Sequence, residues 1–172
     1  MRQDDTIIQR LRNLEQRMDR TQVIERALPS PINTSIYADV SRATLQSIPK
    51  NVTTAISFST EIEDTNGFWV IGSPTRFTLP ITGRYLIFGN VAWAGNNTGT
   101  RHLGIRVGGT TLICNEQILG SNTQQDMSIA TQWTLSAGQY VELVVLTTSN
   151  PATLDVLFVE NYSAHFRITG LP

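Results

Sequence analysis

Residues 77–91 read FTLPITGRYLIFGNV, and this stretch decides the fold of the chain. From Tyr85 to Trp93 apolar side chains occur on both faces of an alternating pattern, which is typical of a strand buried on both sides. Pro80 and Gly83 lie just before this strand. Proline removes a backbone donor and glycine permits a positive φ, so the two residues predict a tight turn. A buried strand that follows a tight turn indicates the core of a β-sandwich.

Short β-type segments separated by turn residues continue from Ile36 onward, at spacings typical of an all-β sandwich. Glycine, asparagine and proline mark breaks at 66–67, 96–99, 108–109 and 149–151. The predicted strands lie near residues 35–40, 43–48, 52–59, 68–71, 75–79, 84–94, 100–107, 110–118, 126–135, 139–148, 153–159 and 162–169. We expect the short early segments to be edge strands.

The aromatic residues around the core strand have a spacing that resembles the C1q globular-head domain. The positions that carry the resemblance are Phe58, Asp64, Trp69, Phe77, Gly83 and Tyr85. Two later segments, 135–143 and 166–171, resemble the turn before a late strand of that family and its closing strand. The resemblance implies an all-β jelly-roll sandwich of ten strands, shared with the tumour necrosis factor (TNF) family, and a compact homotrimer.

Residues 4–28 are predicted to form a helix, because no glycine or proline interrupts them before Pro29. Apolar residues in this helix follow the spacing of a coiled-coil seam. The segment Arg10 to Glu15 resembles the Arg-hydrophobic-x-x-hydrophobic-Glu motif of short trimeric coiled coils. The predicted trimerisation residues are Ile7, Arg10, Leu11, Leu14, Glu15 and Met18. The alternative is one amphipathic helix packed on its own domain.

The predicted organisation has three parts. A trimeric coiled-coil stalk occupies residues 1–28, a proline-containing linker occupies 29–34, and the jelly-roll head domain occupies 35–172. At about 1.5 Å per residue the helix would be roughly 37 Å long.

Composition argues against several classes of protein. The net charge of −1 and the pI near 6.1 give no basic face of the kind that nucleic-acid-binding proteins need. Cys114 is the only cysteine, so no intrachain disulfide can form, which favours folding in a reducing cytosol. No signal peptide is expected, because the first residues lead into a charged amphipathic helix. No membrane span is expected either, because no run approaches about 20 apolar residues.

The sequence offers no convergent set of catalytic residues or cofactor-binding residues. His102 and His165 lie on different predicted strands without the spacing of a zinc motif, so both are interpreted as ordinary strand histidines. Cys114 is interpreted as a small buried hydrophobic residue. No Gly-x-Ser-x-Gly segment, phosphate loop or dinucleotide motif is present. We therefore expect no enzyme activity and no cofactor.

The acidic residues Glu61, Glu63 and Asp64 are the strongest candidates for a metal site. They lack the glycine and the spacing of a calcium loop, so they are interpreted as a solvated loop or strand edge with no bound metal. Some C1q-like domains bind calcium, and a calcium site therefore stays open as an alternative.

Several loops are rich in amide and hydroxyl side chains, which can hydrogen-bond to sugars or to a protein surface. The candidate surface-binding residues are Asn96, Asn97, Thr98, Asn122 and Gln124. The alternative interpretation is that these loops are solvated turns.

Taken together, these features favour a homotrimeric virion protein of a bacteriophage, assembled in the host cytoplasm. Heads of this kind behind a short coil occur in phage decoration proteins, head fibres and tail fibres. We expect a capsid decoration protein or head fibre whose partners are itself and the major capsid protein or another virion protein. The main alternative is a tail-associated receptor-binding adhesin that contacts a host surface glycan or protein. A carbohydrate-active enzyme is a third hypothesis.

Overall fold

The computed structural model describes residues 36–160 and 162–172, and these residues form two antiparallel β-sheets around one apolar core. The strands of this described part are β1 (Tyr37–Ser41), β2 (Gln46–Pro49), β3 (Thr54–Ala55), β4 (Thr60–Asp64), β5 (Arg76–Thr78), β6 (Gly83–Trp93), β7 (Asn96–Val107), β8 (Thr111–Ser121), β9 (Gln125–Leu135), β10 (Tyr140–Thr147), β11 (Thr153–Leu157) and β12 (His165–Leu171). The predicted all-β sandwich is confirmed. The described residues contain no helical segment with the length and apolar character of a membrane span.

The first sheet is built around β6. Strand β9 pairs with β6 along its whole length, from the Gly83–Leu135 pair to the Trp93–Gln125 pair. Strands β12 and β11 share the opposite edge of β6, because β12 pairs with its first two thirds and β11 with its last two residues. Beyond β12 the sheet continues through β1 to β4, and beyond β11 it continues to β2.

The second sheet is built around β10. Strand β7 pairs with one edge of β10, and β8 continues the sheet beyond β7. The other edge of β10 pairs with two short strands, β5 and β3. Strands β2, β3 and β5 are therefore short edge pieces, as expected from the sequence, whereas β1 lies between β12 and β4 and is not an edge strand.

Aromatic rings fill the space between the two sheets. The rings of Phe58 and Phe77 both stack on Phe166, with centroid distances of 5.9 and 4.7 Å. Phe68 meets the rings of Phe77 and Tyr85 edge-on. Offset-stacked and edge-on arrangements are the favourable geometries for aromatic pairs. The aromatic spacing that resembles C1q thus corresponds to one packed cluster.

The sandwich has two distinct ends. The terminal end contains Ile36, where the described chain begins, together with Leu171 and the turn at 136–139. The loop end consists of the loops at 94–99, 121–125 and 148–151. Strand β6 has 11 residues, so roughly 36 Å separates the two ends.

The prediction of a strand at residues 68–71 is wrong. The first two residues are buried, but Val70 is exposed, and its carbonyl accepts a hydrogen bond of 2.9 Å from the amide of Ser73. This bond closes a turn. Apolar composition alone does not distinguish an apolar turn from a strand.

Strand β4 is not predicted from the sequence. Only one of its residues is apolar, Ile62, and its side chain is 53% exposed. Edge strands with charged, exposed side chains lack the alternation that identifies a half-buried strand. Pairing with β1 forms this strand.

The prediction that β6 is buried on both faces is correct only for its last residues. Near its start, Leu86 is 39% exposed and Phe88 is half-buried, because no strand among the described residues covers the outer face of the first sheet there. Val91, Ala92 and Trp93 are buried.

Candidate functional site

The candidate surface-binding residues predicted from the sequence come together at the loop end. Asn96 pairs with Ser121 across β7 and β8. Its side-chain amide also donates to the carbonyl of Asn150 at 2.7 Å. The hydroxyl of Thr98 accepts a hydrogen bond of 2.8 Å from the amide of Asn150. We refer to Asn96–Thr98, Asn122–Gln124 and Thr148–Asn150 as the loop surface.

Two glycines allow the loops to pack backbone against backbone. Gly99 has a φ of +65°, and a Cβ there would lie 2.6 Å from the backbone of Thr148. A Cβ at Gly120 would lie 2.6 Å from the carbonyl oxygen of Asn96. Side chains are not tolerated at such distances, so glycine is required at both positions. The loop surface is therefore held in one arrangement.

Arg101 lies fully buried beneath the loop surface. Its guanidinium donates to the carbonyl of Thr98 at 2.9 Å, to the carbonyl of Asn96 and to the hydroxyl of Ser149. Among the described residues Arg101 forms no salt bridge, and its Nε has no hydrogen-bond partner. Burial lowers the pKa of Arg101, but an arginine remains protonated in proteins. A positive charge without a carboxylate partner therefore lies behind the loops.

Lys50 places a second positive charge at the same end. Its ammonium group donates to Oδ1 of Asn150 at 2.7 Å, and it is the only lysine in the chain. The side chains of Asn97 and Asn122 are exposed and form no hydrogen bond with the described residues. The loop surface thus presents two free amide side chains, with Arg101 beneath it and Lys50 bonded to its edge.

Gln124 connects the loop surface to the start of β9 and to Tyr162. Its side-chain amide donates to Asp126 and to the hydroxyl of Tyr162, each at 3.0 Å. The Tyr162 side chain is 37% exposed. Of the predicted surface-binding residues, Asn96, Thr98 and Gln124 therefore hold the loops together, and Asn97 and Asn122 remain available to a partner.

An ion cluster that sequence analysis does not predict lies on the outer face of the first sheet. Oδ2 of Asp39 accepts a hydrogen bond of 2.7 Å from Nε of Arg167, and Oδ1 lies 3.2 Å from Nδ1 of His165. The hydroxyl of Tyr37 donates to Asp39 at 3.3 Å. Burial and the charge of Asp39 raise the pKa of Tyr37. Asp39 is only 4% exposed, and its charge is compensated by the ion pair with Arg167.

Apolar side chains lie beside this cluster on the same face. The Arg167 guanidinium is 5.9 Å from the ring centre of Phe88, and Leu86 follows two residues before Phe88 on β6. A depression of about 280 Å³ adjoins His165 and includes the exposed Ile62 in its lining. We refer to Tyr37, Asp39, Leu86, Phe88, His165 and Arg167 as the first-sheet face.

The two histidines differ from each other. His102 lies 3.0 Å through Nε2 from the Thr100 hydroxyl, and burial lowers its pKa. His102 is therefore an ordinary strand histidine, as predicted. His165 also lies on a strand, β12, and its contact with Asp39 is a feature that the sequence does not predict. Cys114 is half-buried and packs against the core, so the prediction of a buried residue is only partly correct.

The acidic candidates for a metal site have other roles. The carboxylate of Asp64 accepts hydrogen bonds of 3.1, 2.8 and 2.8 Å from the backbone amides of Asn66, Gly67 and Trp69. It therefore stabilises the turn after β4. Glu61 and Glu63 are exposed on β4, which is an edge strand as interpreted. Within the described ranges, no three histidine, cysteine or acidic side chains are grouped as metal ligands would be.

The predicted trimerisation residues lie outside the described residues. These are Ile7, Arg10, Leu11, Leu14, Glu15 and Met18. The coiled-coil stalk over 1–28 and the linker over 29–34 therefore stay predictions.

Comparison of the whole fold identifies its architecture. The globular domain of zebrafish complement 1qA superposes with a TM-score of 0.58 at 13% sequence identity, covering 80% of this chain and 98% of that chain. The head has the TNF/C1q-like jelly-roll fold. Eiger, a TNF from S. frugiperda, gives a TM-score of 0.59 at 12% identity, with 80% and 93% of the two chains covered.

Murine APRIL at pH 8.0 matches this jelly roll with a TM-score of 0.62 at 13% identity, covering 80% of this chain and 98% of APRIL. No model of a known protein family matches the sequence, and no curated protein matches it. At such low identity the likeness concerns the fold, and activity does not transfer with the fold. Function must therefore be argued from the two polar regions.

Proposed function

We propose that this chain is a non-enzymatic, homotrimeric structural protein of a bacteriophage virion, and specifically a capsid decoration protein or head fibre. The observation that carries the proposal is the first-sheet face, which combines exposed apolar side chains with a charge cluster that is neutralised internally. Such a face suits contact with a second and a third copy of the chain.

The apolar part of the face favours burial by another subunit. Leu86 is 39% exposed and Phe88 is half-buried at the centre of the sheet, where two neighbouring strands flank them. Exposed apolar patches on soluble proteins commonly mark interaction sites. Apolar burial contributes roughly 25 cal/mol per Å².

The polar part of the face does not oppose burial. Asp39 is already 4% exposed and receives hydrogen bonds from Arg167 and Tyr37. A neighbouring subunit that covers this cluster would not leave an unpaired carboxylate in a low-dielectric environment, which is the main penalty for burying ions. Contacts between different patches of identical subunits close into rings, and a three-fold ring matches the trimer implied by the C1q resemblance.

The virion assignment is supported by the sequence. The segment Arg10 to Glu15 resembles trimeric coiled-coil motifs, and a single cysteine excludes an intrachain disulfide. Phage decoration proteins and fibres combine such coils with heads of this kind. An expected stalk of roughly 37 Å is short for a tail fibre, which favours the capsid over the tail.

Imaging of labelled protein on intact virions tests the location. Under the proposal, label appears on DNA-filled capsids at a fixed copy number. Label confined to the tail would replace the capsid assignment by the alternative, a receptor-binding adhesin, and competition with phage for host cells would then be expected. Label nowhere on a virion would refute both versions.

Light scattering tests the trimer separately. The expected mass is three times 19.1 kDa. A monomer at micromolar concentration would contradict the proposal even if the protein were bound to virions. Replacing Leu11 and Leu14 together with Asp tests the stalk, and the first-sheet face is expected to keep the heads associated at higher concentration.

A further inference from the structure

We propose that the loop surface binds a carboxylate-bearing saccharide. The proposal concerns residues at the end of the sandwich opposite Ile36 and does not depend on the virion assignment. It rests on three properties of the loop surface: an excess of positive charge, free amide side chains in a fixed arrangement, and the absence of large exposed apolar side chains from the three loops themselves.

The charge at the loop end favours an anionic ligand. Arg101 and Lys50 contact only carbonyl, hydroxyl and amide oxygens, and neither forms a salt bridge within the described ranges. Asp126, at the start of β9, accepts a hydrogen bond from Gln124 at the edge of the loop surface, and its single negative charge does not balance the two cations. A buried charge is screened less by salt than an exposed one, so the field of Arg101 extends to the surface above it. One carboxylate per binding site would complement this field.

The exposed groups of the loop surface match the hydroxyl and acetamido groups of a saccharide. Asn97 and Asn122 each present a free amide, which offers both donors and an acceptor. Gly99 and Gly120 fix the backbone that carries Asn97 and the approach to Asn122. Little conformational entropy is then lost when a ligand binds, which favours recognition of a small polar molecule. Tyr162, beside Gln124, offers a partly exposed ring against which a sugar ring can pack.

The same surface is a poor match for a protein partner. None of the large apolar side chains that are exposed in the described residues lies in the loops at 94–99, 121–125 or 148–151. Protein interfaces have an apolar or aromatic centre with charged groups depleted from it. Within the three loops the composition is the opposite, and the exposed apolar side chains that border them, Leu119 and Tyr162, lie at the edge and not at the centre. A saccharide therefore fits the loop surface better than an acidic protein surface does.

The experiment is calorimetric titration of the full chain with three probes. A hyaluronan tetrasaccharide supplies glucuronic acid and N-acetylglucosamine, its methyl ester removes the charge, and a Glu-rich hexapeptide supplies carboxylates without sugar. We expect the acid to bind at least about five times more tightly than the ester, in line with one exposed ion pair. Raising the ionic strength from about 20 to about 500 mM shortens the Debye length to about 4 Å and should weaken binding of the acid but not of the ester.

Two variants and a control assign the binding to the loop surface. Lys50→Gln should weaken binding of the acid about threefold and leave binding of the ester unchanged. Arg84→Gln removes the same charge from an exposed arginine at the terminal end and should change neither. Asn97→Ala combined with Asn122→Ala should weaken binding of both saccharides, because the amides contact neutral groups.

Each remaining outcome would overturn the proposal. Equal affinity for the acid and the ester would refute the role of charge, and equal effects of Lys50→Gln and Arg84→Gln would refute the location. Binding of the hexapeptide without binding of the saccharide would assign the surface to an acidic protein instead. No heat from any saccharide at millimolar concentration would refute saccharide binding at this surface.

Discussion

Two buried ionic centres, Arg101 and Asp39, have opposite relations to their surroundings. Asp39 lies on the first-sheet face and is paired with Arg167, so its charge is balanced by a side chain on the neighbouring strand. Arg101 lies under the loop surface, and within the described part of the chain its guanidinium donates to neutral oxygens only. A balanced centre can be covered by another subunit, whereas an unbalanced one leaves a field that attracts an anionic ligand. The comparison therefore favours the first-sheet face as the proposed assembly surface and the loop surface as the proposed ligand surface.

The largest expected effect comes from removing the unbalanced charge. Arg101→Met should lower the free energy of unfolding by roughly 3 to 5 kcal/mol, because it removes the donor to the buried hydroxyl of Ser149 and to the carbonyls of Thr98 and Asn96. Urea denaturation measures the change. The matched control, Arg84→Met, removes an exposed arginine and should stay within about 0.5 kcal/mol of the parent. A loss below about 1 kcal/mol for Arg101→Met would mean that Arg101 does not hold the loops together.

Removing the charge of Asp39, which Arg167 balances, should destabilise the fold less than Arg101→Met does. Part of this loss should come from the broken pairing with Arg167. Asp39→Asn is expected to destabilise the fold by about 2 to 3 kcal/mol, because the hydrogen bond of Arg167 loses its charged acceptor. Combining it with Arg167→Gln should cost at least about 1 kcal/mol less than the sum of the two single variants. Additive effects in this double-mutant cycle would contradict the pairing as the reason that Asp39 tolerates burial.

The first-sheet face can also be tested without altering the core. Leu86→Asp should weaken subunit association by about 1 to 2 kcal/mol, because it places a charge in the proposed contact. The effect is measured by the concentration dependence of the mass in a chain that also carries Leu11→Asp and Leu14→Asp. Asn115→Asp, at an exposed position on β8 of the second sheet, is the control. Equal dissociation by both Asp substitutions would exclude the first-sheet face as the specific contact.

The smallest effects distinguish two neighbouring asparagines. Asn96→Ala should destabilise the protein by about 1 kcal/mol, because the side chain bonds to Asn150 and to Thr98. Asn97→Ala should change stability by less than about 0.5 kcal/mol, because its side chain is exposed and forms no bond within the described residues. Thermal unfolding of both variants under identical conditions provides the measurement. The reverse order would show that the structural and ligand-facing roles are assigned to the wrong residues.

The elements that sequence patterns predict well are those governed by local rules. Strand β6 follows from its alternation, and the turn at Gly108-Gly109 follows from two adjacent glycines, both of which have a positive φ. The prediction of a strand at 68–71 fails because Phe68 and Trp69 pack into the core from a segment that ends in a turn and does not join a sheet. Strand β4 escapes detection because its side chains are charged and exposed.

The candidate site is likewise predictable from the sequence only in part. Amide and hydroxyl residues in the loops can be recognised from composition, and the structure brings Asn96 and Thr98 together with Asn150. Which of these side chains remain free depends on hydrogen bonds between loops about 50 residues apart, and no local pattern encodes them. Arg101 carries no sequence signal of burial, because arginine is almost always exposed.

The sequence by itself determines the all-β class, the position of the central strand and the polar character of the loops, because alternation, glycine and proline act within a few residues. Tertiary structure alone decides that Asp39 meets Arg167, which is 128 positions away, and that Arg101 is enclosed by neutral oxygens. Both outcomes follow from the register between strands, since shifting a pairing by one residue would turn these side chains to the opposite face of the sheet. Charge balance at a buried site is therefore a property of the assembled sheets.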